Sequence, residues 1–371
     1  MTTIISGTSG LTFPDNSTQA VGFYGFKNRI INGAMVIDQR NAGASVTPAD
    51  GDYTLDRWKC FGSQASKYTV QQNAASVTLP TGFKSYLGLT VGASANVTVG
   101  ASDYFMIRQL IEGLNVADFS WGTSGAATVT LSFKVYSSLT GTFGGSIENS
   151  AQNRCYPFTY TVSSANTWTS ISITIAGDTT GTWLTTNGTG LIINWGLGVG
   201  SSNSGTAGSW QAAGYYSATG AVNVVSTNSA TFYITGVQLE KGSTATSFDY
   251  RPYGTELQLC QRYYQKFSAT AGGQVFSSGM MNATTTGRMF IPFLVPLRTN
   301  PTALEQSGTA TDYAVFHGST VTTCSAVPLF IAATVNGGGF EATIASGGTV
   351  GYGALLRAAT SSAFFAWSAE L

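Results

Sequence analysis

Apolar and polar residues alternate along much of the chain. Val129, Leu131, Phe133 and Val135 interleave with Thr128, Thr130, Ser132 and Lys134, which is the pattern of an antiparallel strand with one face on a core and the other in water. The same period of two runs through residues 158–162, 170–175 and 231–239. Further strands are expected near residues 35–39, 68–72, 77–79, 96–99 and 191–199. Gly, Ser and Asn turns separate these segments, so residues 26–252 read as one large antiparallel jelly-roll β-sandwich.

Helical spacing is rare. After Pro252, Thr255 is placed to act as an N-cap, and Leu257, Cys260, Tyr264 and Phe267 follow at steps of three, four and three, giving one apolar stripe on a helix over residues 253–267. One reading puts that stripe on a three-fold axis as a trimer interface; the other docks it on the sandwich that precedes it. A second short helix is expected over residues 103–114, with Ile107, Leu110, Ile111 and Leu114 on one side. Beyond Phe267 the pattern returns to strands at residues 289–297, 314–316, 329–334, 340–344, 353–357 and 363–370, with Pro292 and Pro296 marking an edge or bulge. Residues 268–371 therefore read as a smaller C-terminal β-sandwich or knob.

Composition narrows the class. Charged residues make up 9% of the chain and balance at 17 Lys+Arg against 17 Asp+Glu, where an ordinary soluble domain carries about 25%. No field here would draw nucleic acid or an anionic membrane. A hydrophobic content of 43% supplies ample core, so the chain is not disordered. Cys60, Cys155, Cys260 and Cys324 lie far apart with no CxxC or Cys/His pairing. They read as four buried free thiols, with no zinc site and no disulfide framework. The N-terminus lacks the basic and apolar regions of a signal peptide, and no run approaches the ~20 apolar residues of a membrane span.

Catalytic signatures are missing. His317 is the one histidine, and no HExxH, GxSxG or phosphate-binding loop occurs, which argues against an enzyme and against any cofactor or metal. A pair of carboxylates could still hydrolyse a glycan, but Asp103, Glu112, Glu148 and Asp178 stand singly in the sequence. Asp50-Gly51-Asp52 offers hard oxygens for calcium but reads first as an ordinary acidic turn before the YTLDRW strand.

Three segments carry a family resemblance: NRIINGAMVIDQRNAG at residues 28–43, YTLDRW at 53–58 and GVQLEKGSTATSFDYRPYGTELQLCQRYYQKF at 236–267. Together they resemble the tail-fibre and receptor-binding proteins of tailed bacteriophages, over most of the chain. LTFPDNSTQ at residues 11–19 looks like a further element of such fibres. The resemblance implies a virion protein made in the host cytoplasm, while the roughly eight to ten strands and their turns suggest a two-sheet jelly roll like that of many carbohydrate-binding modules. The resemblance also implies a homotrimer, attachment to another tail protein through residues 1–25, and adsorption to a host polysaccharide or outer-membrane receptor.

Receptor contact is expected from aromatic rings on loops, since a ring covers the C–H face of a sugar while neighbouring polar groups take its hydroxyls. In the C-terminal unit the candidates are Tyr313, Phe316, His317, Phe340 after the triple glycine, and Tyr352. In the sandwich they are Trp210 and Tyr215, in the glycine-rich loop of residues 200–220. Trp183 and Trp195 flank a nearby turn; the alternative for these rings, and the favoured one for Trp195, is that they plug the sandwich ends or a protomer interface. Trp58 and Trp168 are assigned to the core. A purely structural tail or head fibre, or a decoration protein, is the alternative function; a polysaccharide depolymerase is a third.

Overall fold

The computed structural model describes residues 26–371, together with the backbone of three short strands, Ile4–Ser6, Gly10–Thr12 and Thr18–Gln19, paired antiparallel in that order. The expected attachment segment, residues 1–25, otherwise lies outside the described residues.

Ten strands form the sandwich: β1 (Lys59–Gly62), β2 (Tyr68–Gln72), β3 (Leu87–Val91), β4 (Tyr104–Glu112), β5 (Val129–Ser137), β6 (Gly141–Glu148), β7 (Cys155–Val162), β8 (Thr169–Ile175), β9 (Thr189–Val199) and β10 (Thr231–Lys241). They build two five-stranded antiparallel sheets, ordered β7-β6-β9-β4-β1 and β8-β5-β10-β3-β2. The chain passes repeatedly from one sheet to the other, giving the expected jelly roll. Between the sheets lie Val129, Leu131, Phe133 and Val135 of β5, the alternating residues read from sequence, against Trp58 and Trp195, whose rings stand 5.4 Å apart. Residues 35–39, 77–79 and 96–99, expected as strands, run outside the ladders.

The helix expected over residues 103–114 is strand β4. It lies between β9 and β1, and both of its faces are covered. Phe105, Ile107 and Ile111 enter the core, while on the other face Leu110 accepts a hydrogen bond from Arg57 and Glu112 binds Arg262 and Tyr263. Burial on both faces removes the alternation that marks a strand, and the remaining apolar residues fall by chance at helical spacing.

The helix after Pro252 exists but is shorter than expected. Helix α1 spans Tyr253–Gln261 with Pro252 at its N-cap, in place of Thr255, and β11 (Tyr264–Ser268) follows at once. Tyr264 and Phe267 therefore lie on a strand, and the expected stripe is broken. Cys260 is wholly buried with Tyr263 against Ile31 and Ile37, with Leu257 packed beside them. The proposed seam is used within one chain, where the helix docks on the segment that begins at Asn28.

Strands β12 (Val275–Met281), β13 (Thr286–Pro292), β14 (Glu305–Gln306), β15 (Tyr313–His317), β16 (Thr320–Thr334), β17 (Gly337–Ile344), β18 (Gly353–Ala358) and β19 (Phe364–Ser368) complete the chain. The C-terminal unit is all-β, but its main sheet closes into a six-stranded barrel, β12-β13-β17-β16-β15-β18, with the small sheet β11-β19-β14 beside it. Closure removes the sheet edges that an open sandwich would leave unpaired. Glycines 337–339 lie in β17, not in a loop. A side chain at Gly338 would stand 2.5 Å from the Trp367 indole, so this glycine lets a core tryptophan reach the barrel wall.

Barrel and sandwich are tied by ionic and polar contacts around the C-terminus. Glu370 pairs with buried Arg57 and, at 3.1 Å, with Arg40. Arg298 donates to the Asn187 carbonyl of the sandwich at 2.9 Å as well as to the Ala369 and Glu370 carbonyls of its own unit at 2.8 and 2.7 Å, and the Tyr53 hydroxyl donates to the Leu371 carbonyl at 2.9 Å. Arg262 holds Glu112 through two bonds of 2.9 and 2.6 Å. Among the described residues no helix is long and apolar enough to cross a membrane.

Candidate functional site

The outer face of sheet β8-β5-β10-β3-β2 carries a groove of about 480 Å³. Its floor follows from the alternation of β5 and β8. With Phe133 and Ile171 turned toward the core, Ser132, Lys134, Ser170 and Ser172 face outward, and Lys134 lies opposite Ser170 and Ser132 opposite Ser172 in the ladder. The Lys134 ammonium donates to Ser170 Oγ at 2.9 Å. One wall is aromatic: Phe83, Phe248 and Tyr250 pack with centroids 5.2, 5.5 and 4.9 Å apart. Tyr250 is 51% exposed, although its hydroxyl is tied to the Gly82 carbonyl. Thr81, Thr246 and Ser247 add hydroxyls to the groove lining.

A β-bulge makes room for this wall. The register of β10 against β5 shifts between Thr235 and Gln238, and Gly236 there takes a left-handed backbone with φ of 61°. Its missing side chain leaves space for Phe83, whose Cζ would stand 2.7 Å from a Cβ at this position. Glycine is the residue that meets both demands without strain.

The loop that supplies Phe248 and Tyr250 is held by the strand before it. Glu240 accepts from the Thr246 amide at 2.9 Å and its hydroxyl at 2.6 Å, and Gln238 Oε1 accepts from the Asp249 amide at 2.8 Å. Asn28 joins the same knot: its side chain donates to the Val237 carbonyl at 3.0 Å and accepts from the Leu239 amide at 3.0 Å. Trp58 Nε1 donates to the Asn32 carbonyl at 3.0 Å, and Asn32 Nδ2 to that of Asp56 at 3.0 Å. The three segments that carry the resemblance thus interlock as scaffold, and the groove wall stands on them.

A second aromatic group continues the same sheet face. Tyr136, two residues beyond Lys134 on β5, stacks on Tyr233 at 5.3 Å and 7°, and Trp168 lies 5.5 Å from Tyr136. Trp168 is therefore outside the core assigned to it, donating its indole N–H to the Thr78 carbonyl at 3.0 Å; Trp58 is fully buried as expected.

The expected receptor residues are scattered. Tyr313 and Phe340 are wholly buried in the barrel core, Phe340 stacked 4.8 Å from Phe365 and the Tyr313 hydroxyl bonded to the Phe364 carbonyl. Neither can touch a partner while the barrel is closed. His317 is 6% exposed and shares a 3.0 Å hydrogen bond with Thr322, while Phe316 is half-buried with the Arg357 guanidinium 6.0 Å from its ring. Tyr352 is open to solvent. Trp210 joins Trp121 and Trp183 in an edge-to-face cluster with centroids 4.7 to 5.4 Å apart. All three indole N–H groups are satisfied inside the chain, by Ala127, Asp178 and Ala176, which suits a plug of the sandwich end. Tyr215 is half-buried over Gly205, where a side chain would stand 2.3 Å from its ring. Of the trimer-interface residues, Cys260 and Tyr264 are buried within the chain, Leu257 packs beside Cys260, and Phe267 packs 6.0 Å from Trp367. Tyr264 sits beneath the Arg40 guanidinium and bonds Glu305 at 3.0 Å.

The single carboxylates each hold a structural partner. Asp178 is bound by Arg154 at 2.9 and 2.6 Å, and Asp103 accepts from Ser63 at 2.7 Å and the Gly100 amide at 2.8 Å. Glu112 is taken by Arg262. Burial pushes the Glu148 carboxyl up to about 7, against the pull of Arg108 at 3.5 Å and the Asn194 amide at 2.6 Å. Asp50 accepts from the Gly62 amide and the Tyr104 hydroxyl, and Asp52 from the Ala49 amide, the pattern of an acidic turn. Among the described residues no three His, Cys, Asp or Glu side chains cluster to hold a metal.

Phe83, Phe248, Tyr250 and Lys134 were not among the residues expected from sequence. The available signal was Lys134 as the one charge on the polar face of β5, and the FDY triplet, which sends two rings to one side in extended backbone.

No protein-family model matches the chain, and no curated protein matches it. Solved structures show a slight likeness. A tailspike protein 4 enzymatically active domain of bacteriophage CBA120 aligns with a TM-score of 0.34 and 12% identity over 58% of this chain. The alignment spans 22% of that domain's length. A family 11 carbohydrate-binding module from Clostridium thermocellum, in complex with a β-1,3-1,4-mixed-linked tetrasaccharide, aligns at a TM-score of 0.28 and 12% identity, over 54% of this chain and 98% of its own. At scores of this size the likeness does not bear on function.

Proposed function

We propose that the protein is a bacteriophage tail-fibre component that binds a host surface glycan in the groove over β5 and β8. The observation that carries this reading is the pairing of an aromatic wall, open to solvent at Tyr250, with a floor of hydroxyls. Apolar ring faces take the C–H face of a pyranose, and hydroxyls exchange hydrogen bonds with the sugar at little desolvation cost. The groove lining contains no carboxylate, histidine or cysteine, so it offers binding groups without a general acid or base. Location on a virion, attachment through residues 1–25 and assembly as a homotrimer belong to the same proposal, and the trimer contact then lies away from Cys260 and Tyr264.

Binding of host-derived polysaccharides to the full chain, read by glycan array, tests the proposal. Tyr250→Ala removes a half-exposed ring and should weaken glycan binding at least about tenfold, or about 1.4 kcal/mol, with an unchanged thermal midpoint. Binding that survives Tyr250→Ala and Phe248→Ala would move the function away from this groove and favour a purely structural fibre.

A further inference from the structure

Lys134 is the one charged side chain lining the groove. It takes part in none of the ion pairs among the described residues. Arg154, Arg262 and Arg57 are matched by Asp178, Glu112 and Glu370, while the part-buried Lys266 and Arg298 have no ion pair but spend their donors on carbonyls of the chain. One of the three ammonium donors is used on Ser170, and two remain for a ligand. The ammonium lies 6.0 Å from the centre of the Phe83 ring, so a sugar resting on the aromatic wall would hold a ring substituent within its reach.

We infer that the groove takes an acidic saccharide, a uronic-acid type of residue whose carboxylate is received by Lys134. The inference rests on the glycan reading of the groove and adds the charge of the ligand to it. One unmatched positive charge balances one carboxylate. A phosphate monoester, with up to two negative charges, would call for a second cation or an Arg fork, and the lining holds neither. Ser132, Ser170 and Ser172 lie on the same floor and can take the remaining hydroxyls of such a sugar. Because Lys134 is half-buried in an open groove, the attraction is partly screened and should fall with salt.

The test titrates the full chain with oligosaccharides of polygalacturonate, hyaluronan and alginate, and with the same oligosaccharides after reduction of their carboxyl groups to primary alcohols. The protein should bind at least one acidic form roughly ten- to hundredfold more tightly than its reduced form, the range of a hydrogen bond to a charged group. Lys134→Met should abolish that preference by weakening the acidic form alone, and Tyr250→Ala should weaken both forms. If both forms bind equally and both are lost with Tyr250→Ala, the acidic inference is overturned while the glycan groove stands. Binding that responds to neither substitution overturns the groove reading as well. Failure of every acidic oligosaccharide to bind overturns the inference, and a neutral host glycan that still binds and is lost with Tyr250→Ala would leave the groove in place. Thermal unfolding of both variants at the wild-type midpoint shows that the fold is not the cause.

Discussion

Replacing Gly236 with alanine should damage the fold and the groove together, because one missing methyl group serves both. The backbone there is left-handed, with φ of 61°, and a residue with a Cβ adopts that region at a cost of about 1–2 kcal/mol. The new Cβ would also lie 2.7 and 2.9 Å from two carbons of the Phe83 ring, closer than carbon atoms approach without displacement. Phe83 is 8% exposed and packed on Phe248 and Tyr250. Moving it outward forfeits part of the roughly 1.5–3 kcal/mol that burying such a side chain contributes. The sum is about 2–4 kcal/mol, which for a domain of this size lowers the thermal midpoint by roughly 4–16 °C. Gly220 separates the two effects. Its φ is 81°, also left-handed, and nothing lies within 4 Å of a Cβ built on it, so Gly220→Ala should show the backbone cost alone. Thermal unfolding by circular dichroism, with glycan titration of both variants, checks the reasoning. Equal midpoints and equal glycan affinity for Gly236→Ala and Gly220→Ala would show that Phe83 does not depend on the bulge.

Glu370→Ala should cost about 3–5 kcal/mol in urea unfolding, because it leaves the buried Arg57 without its counter-charge; a loss below about 1 kcal/mol would show that the pair is solvated. Glu148 gives a pH signature. Burial lifts its carboxyl to about 7, so the folded state favours the protonated form. That stabilisation is fully present below the ordinary glutamate value and is lost as pH rises through about 7. The thermal midpoint should therefore fall between about pH 5 and about pH 8, and Glu148→Gln should flatten that slope; an unchanged slope would place the titrating group elsewhere.

What could be read from the sequence follows from how many faces of each strand are buried. Strand β5 covers a core on one side only, so Val129 to Val135 announced both the strand and its inward face. Strand β4, covered on both sides, lost that signature and resembled a helix. The stripe from Leu257 to Phe267 misled for a related reason. Leu257 and Cys260 face the core from a helix, while Tyr264 and Phe267 lie on opposite faces of the strand that follows, Tyr264 under Arg40 and Phe267 against Trp367, and a run of spacings cannot record a change of element between them. The barrel offered no local cue, since closure depends on Val275 to Met281 meeting Gly353 to Ala358, far along the chain.

The site was less legible than the fold, and the glycines explain why. Three consecutive glycines before Phe340 look like a flexible loop that presents an aromatic ring, yet in β17 they leave room for Trp367 and Phe290 to pack against the barrel wall. Gly236, inside an evident strand, looks like a small fault in the pattern, yet it is the point where the strand bulges to admit Phe83. In both places glycine marks where another side chain must lie close to the backbone. What distinguishes them is what that side chain supports: Trp367 closes a core, whereas Phe83, itself buried, backs Phe248 and the exposed Tyr250. A binding wall needs support from behind and an open face in front, and of the aromatic groups described here the one built on Gly236 has both, with a cation left unmatched within reach.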